Sequence, residues 1–160
     1  MTPNATRSTL LRNRTQNFCT ALLSPPPPSQ LLDAYFSATT PPHITEHGPT
    51  WASSRLPFLG KTFEGKDGCI NYFTVLAQTL DMHMHADTFP PADGFIVDAE
   101  AGGGTGLVSV VGSAEFSSVK TGKRWHEQFI YRFSDFDAEG RFGHWEIWAD
   151  PLSAWEAVGE

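Results

Sequence analysis

The chain has 160 residues, a formal net charge of −7 at pH 7, 40% hydrophobic and 18% charged residues. That length suits one domain, and that balance excludes global disorder. Apolar runs stay far below the ~18 residues of a membrane span, and no basic cluster exceeds Lys123-Arg124. Neither a membrane nor a nucleic acid, whose phosphates demand a basic face, is an expected partner.

Cys19 and Cys69 offer no disulfide framework and no zinc-finger spacing, and read as small hydrophobes of a reducing compartment. No apolar leader core opens the chain, so the expected location is cytoplasmic. Arg7, Arg12 and Arg14 in a stretch without acids suit an ordinary first helix, with an organellar transit peptide as the other reading.

Residues 1–5 are expected to be disordered. Leu11, Phe18 and Leu22 then recur at helical spacing over 6–23, and Pro25 to Pro28 end that helix in a stiff connector. A short helix spans Ser29 to Phe36 with Ser29 as N-cap. Pro41-Pro42 precedes a short strand, His43 to Glu46, and Gly48 to Gly65 reads as loop. A helix over 66–81 carries Ile70, Phe73, Ala77 and Leu80 on one face, flanked by Tyr72 and Leu76. Strands are predicted at His83 to Phe89 and Gly94 to Ala99. Leu107 to Val119 follows, with Val108, Val110, Gly112, Ala114 and Phe116 on one side. Thr121-Gly122 turns into Arg124 to Ser134, and Ala138-Glu139-Gly140 into Phe142 to Ala149. Asp150-Pro151 opens a last helix through Val158. Helices followed by long hairpins make a single α+β domain over 1–160. A curved, cone-shaped antiparallel sheet of about four to six strands would wrap around the N-terminal helices. Such a cone encloses a pocket for a small molecule, and its wide face calls for a second copy.

Strand 125–133 carries Trp125, Glu127, Phe129, Tyr131 and Phe133 on one face and His126, Gln128, Ile130 and Arg132 on the other. A carboxylate among four aromatics is desolvated and its pKa raised, as an acid or base requires. By pattern, Glu127 and Tyr131 point into the cone. Glu146 accompanies His144 and Trp148, either as a second pocket carboxylate or as a half-exposed partner of His144. His83 and His85, with Asp87 beyond, lack the third ligand and geometry that zinc needs, so no metal is expected. Gly102 to Gly106 opens a strand rather than a helix and is a turn, not a dinucleotide fingerprint. No G-x-S-x-G elbow is present.

Three stretches are similar to one family: His43-Ile44-Thr45-Glu46-His47-Gly48-Pro49; Leu56-Pro57-Phe58-Leu59-Gly60 leading to Gly65-Lys66-Asp67-Gly68; and Phe133 to Phe142 followed by Trp145-Glu146-Ile147-Trp148-Ala149-Asp150-Pro151-Leu152. Their order and spacing resemble the nuclear transport factor 2-like superfamily, in its SnoaL-like polyketide cyclase and ketosteroid-isomerase-like branch. The resemblance covers nearly the whole chain from about residue 6. It implies a cone-shaped α+β barrel, often a homodimer, and chemistry without a cofactor on hydrophobic polycyclic molecules. His47 stands where the isomerases place a catalytic aspartate, and its imidazole suits proton transfer near neutrality. Arg132 stands near the family's oxyanion-stabilising acid, where it can hold an enolate oxygen but not donate a proton as a neutral acid does. That registration would turn Arg132, Gln128 and His126, rather than Glu127, into the cone.

The expected function is thus an isomerase, cyclase or dehydratase acting on a hydrophobic polyketide-, terpenoid- or alkaloid-type intermediate. His47 or Glu127 moves a proton, and Arg132, Tyr131 or Glu146 holds or protonates the oxygen. Trp51, Phe58, Tyr72, Phe73, His83, His85, Tyr131 and Trp148 shape the pocket. The alternative is a non-catalytic ligand-binding or protein-association domain of the same fold.

Overall fold

The computed structural model describes residues 3–160. Helix α1 (Pro3–Leu22) begins ahead of its expected start and ends before the proline run, which cannot continue a helix. Disorder expected for residues 1–5 thus meets a helix from Pro3 onward, while Met1 and Thr2 lie outside the described residues. Leu11, Thr15, Phe18, Cys19 and Leu22 form its buried ridge. Phe18 sits at the centre of the core: the rings of Tyr35, Phe36, Phe133, Phe142 and Trp145 pack edge-on within 5.0–5.9 Å.

Helix α2 (Pro28–Tyr35) starts on the last proline, with Pro27 at the cap and no capping side chain. Ser29 is therefore inside the helix, not its cap, because a proline's fixed φ and missing N–H suit the first turn. Strand β1 (His43–Glu46) pairs antiparallel with β2 (Lys61–Glu64). That second strand falls within the stretch read as loop: it buries only Phe63, so it has no alternation to detect. Helix α3 (Gly65–Thr79) buries Cys69, Tyr72 and Leu76. Its core face is turned by about one residue from the expected one, and Ala77 is exposed.

Strand β3 (Leu80–His83) begins directly at the end of α3, three residues earlier than the expected 83–89. Strands β4 (Ile96–Asp98), β5 (Leu107–Ser118), β6 (Arg124–Ser134) and β7 (His144–Trp148) follow. Helix α4 (Pro151–Val158) is capped by Asp150, whose side chain accepts from the Ser153 N–H. The seven strands form one curved, open sheet in the order β2-β1-β7-β6-β5-β3, with β4 added to β5. All pairings are antiparallel except β1 with β7.

The sheet's two faces follow from pleat and register. Ile44 and Glu46, Trp145 and Ile147, and Glu127, Phe129, Tyr131 and Phe133 face the helices and are buried but for a few per cent. Their neighbours His47, Glu146, Trp148, Ile130 and Arg132 face outward. On that outer face Val111, Ile130 and Trp148 are opposite one another across β5, β6 and β7 and form an exposed apolar row.

Candidate acid/base site in the cone

A cavity of about 40 Å³ lies between α3 and the inner face of the sheet. Its polar wall is Glu46 from the end of β1, Tyr72 from α3, and Glu127 and Tyr131 from β6; Phe73, Phe129 and Trp145 are among the rings that close it. No Lys, Arg or His lines it among the described residues.

Glu46 reaches this wall because β1 alternates in phase with Ile44. The Tyr72 hydroxyl, brought opposite it by α3, donates to Glu46 Oε1 at 2.8 Å. Burial pushes the Glu46 carboxyl up to about 8; the Tyr72 hydrogen bond opposes the rise and the nearby Glu127 adds to it. Glu127 is raised to about 7, again chiefly by burial. Its Oε2 accepts the Asp150 backbone N–H at 2.6 Å, which ties the carboxylate to the β7–α4 junction and partly offsets the rise. The Tyr131 hydroxyl is pushed up by burial, then by Cys19, Glu46 and Glu127 around it. The Trp145 indole N–H is buried without a partner among the described residues, a donor left over in the cavity wall.

Burial thus raises both carboxyls of this wall from the ordinary Glu range toward neutrality. Two carboxyls whose environments hold them at different values can give and take a proton in one event.

The residues expected from sequence fall into separate groups. Glu127, Tyr72, Phe73 and Tyr131 line the cavity. His47, Arg132 and Glu146 do come together, but on the outer face. His47 Nε2 is 3.0 Å from Glu146 Oε1, Arg132 Nε is 3.2 Å from Glu146 Oε2, and the His47 ring stacks on Trp148 at 4.2 Å. Phe58 is packed in the core away from the cavity wall, and Trp51 is two-thirds exposed against Trp155. His83 bonds Ser117 on the outer face at 2.9 Å, and His85 is exposed. Among the described residues no group of three or more His, Cys, Asp or Glu is placed to hold a metal ion.

Glu46 was the residue that sequence reasoning missed. One residue along a strand reverses the face, so attention to His47 selected the outward neighbour. The available signal was Ile44: an apolar residue two positions before Glu46 shares its face.

The same architecture recurs in solved structures. An NTF2-like protein from Burkholderia xenovorans LB400 superposes with a TM-score of 0.69 at 13% identity, over 95% of this chain and 98% of that one. The chain has the NTF2-like fold. TerC co-crystallized with polyporic acid matches at 0.61, with 16% identity and 98% of each chain covered. A candidate polyketide cyclase from Xanthomonas campestris pv. campestris matches at 0.64, with 10% identity, over 96% of this chain and 99% of that one. No protein-family model and no curated protein matches the sequence.

Proposed function

We propose that the cone cavity is an acid/base site of the SnoaL-like, ketosteroid-isomerase-like kind. It would isomerise, cyclise or dehydrate a hydrophobic secondary-metabolite intermediate. The observation that carries this reading is the pair Glu46 and Glu127 in one aromatic-walled cavity, held at about 8 and about 7. In its simplest form the step runs as follows. The Glu127 carboxylate removes a proton from carbon next to a substrate carbonyl, while Glu46, protonated and bonded by Tyr72, delivers one to the oxygen. The spare Trp145 N–H and the Tyr131 hydroxyl are donors for the charge that develops there. The surrounding rings exclude water and strengthen each of these interactions. Such transfers need no group beyond the side chains named.

The row Val111, Ile130 and Trp148 supports a homodimer through the outer sheet face, with the His47–Glu146–Arg132 cluster at its edge. In this reading that cluster serves the interface, not the chemistry.

The decisive experiment titrates the carboxyl carbons of selectively labelled Glu by NMR. Two carboxyls titrating near neutrality, lost one each in Glu46→Gln and Glu127→Gln, support the site. Both titrating below about 5, as ordinary Glu does, would remove it and leave a binding or scaffold domain.

A further inference from the structure

The cavity is too small for the whole of any hydrophobic metabolite: at about 40 Å³ it has room for a few waters or a small polar head. Beside it runs a second, open groove of about 290 Å³, bounded by the end of α1, the proline connector, the C-terminal half of α3 and β3. Leu22, Phe73, Leu76, Leu80 and Met82 line both spaces, so they form the wall between groove and acid pair. Met82 is partly exposed, and its unbranched thioether is the side chain best able to swing aside. Pro25, Pro26 and Pro28 stiffen the far bank, which keeps the groove from collapsing onto α3.

Charge narrows the occupant further. Asp81 is the one ionisable group lining the groove, and no Lys, Arg or His lines either space among the described residues. An anionic head would meet Glu46 and Glu127 with no counter-charge, in a setting where an unpaired buried charge is strongly disfavoured. A fatty acid or other carboxylate would have to shed its charge to enter and is disfavoured against a neutral ketone or alcohol.

We infer that the groove is a tail subsite for the acid/base cavity, and that the ligand is an uncharged head-and-tail molecule, a ketone or alcohol on a linear apolar chain, rather than a compact polycycle. This rests on the proposed function for the place of the head. The shape and charge of the groove define the tail on their own.

The test is calorimetric binding of three probe sets to the full chain: a series of straight-chain 2-alkanones of increasing length, the carboxylates of matching length, and 2-decalone as a compact ketone. The expected result is affinity rising about fourfold per added methylene, as for a buried CH₂, until the groove is full. Carboxylates should not bind detectably, and 2-decalone should bind more weakly than the linear ketone of equal carbon number. Ala77→Trp places an indole in the groove from an exposed position that lines the groove but not the cavity. It should abolish the gain from long chains and leave the shortest ketone's affinity unchanged. The inference is overturned if affinity is independent of chain length, if carboxylates bind as well as ketones, if 2-decalone binds better, if Ala77→Trp leaves the length dependence intact, or if no ketone binds. None of these outcomes bears on the carboxyl titration, so failure of the tail subsite and failure of the acid/base reading are separable.

Discussion

Replacing Glu46 by Gln should make the protein more stable in base and nearly neutral in acid. The unfolded chain releases this proton near the ordinary value of 4.5, the folded chain only at about 8. Across that interval the unfolded state binds fewer protons, so stability falls as pH rises, by about 1.4 kcal/mol per pH unit. Full persistence over the interval sets a ceiling of about 5 kcal/mol. Water entering the cavity would solvate the carboxylate and bring the working figure to about 2–3 kcal/mol. Gln keeps the volume and still accepts the Tyr72 hydroxyl, so at about pH 5 the cost should be about 0–1 kcal/mol. Urea denaturation followed by tryptophan fluorescence at about pH 5 and about pH 8.5 gives both differences. Glu127 is coupled to Glu46, so the quantity compared between the two proteins is the change in the pair's combined titration. A Glu46→Gln effect equal at both pH values within about 0.5 kcal/mol would refute the reasoning, because it would mean that Glu46 is not a buried acid held neutral by the fold.

Once a turned-over substrate is found, its rate should trace a bell with limbs near 7 and near 8, set by Glu127 ionised and Glu46 protonated; Glu127→Gln should remove the lower limb along with most of the rate. Gly112→Ala should cost about 1–3 kcal/mol in chemical denaturation, since a Cβ there would stand 2.3 Å from the Phe129 ring. Unchanged stability would show that Phe129 has room to move. Ile130→Lys should convert a dimer to a monomer in light scattering, and a wild-type chain that is already monomeric would sink the interface. Arg132→Met removes a half-exposed cation from the largely buried Glu146, which keeps His47 as its partner, and should leave carboxyl titration in the cavity unmoved.

Much of the architecture was legible because it is periodic. Eleven-residue β6, with an aromatic at every second position around Glu127, could bury one face only, and the alternation pointed that face inward. The resemblance-based registration pointed to the opposite face; the buried series Glu127, Phe129, Tyr131 and Phe133 follows the alternation. The four-residue β1 carried too little pattern to choose between Glu46 and His47, and β2, with a single buried Phe63, carried none.

The class of fold, the positions of its long elements, and a carboxylate destined for an apolar environment at Glu127 are all readable from the order of the residues. Which polar groups meet depends instead on how distant elements pack. Glu46 and Tyr72 are 26 residues apart, Glu127 and the Asp150 N–H are 23 apart, and His47 and Glu146 are 99 apart on the opposite face. Periodicity is a local property of each strand and helix. Whether two such elements place an acid beside an acid, or a histidine beside a glutamate, depends on sheet register and on the rotation of α3 about its axis. Packing sets both, and no short stretch of sequence encodes either.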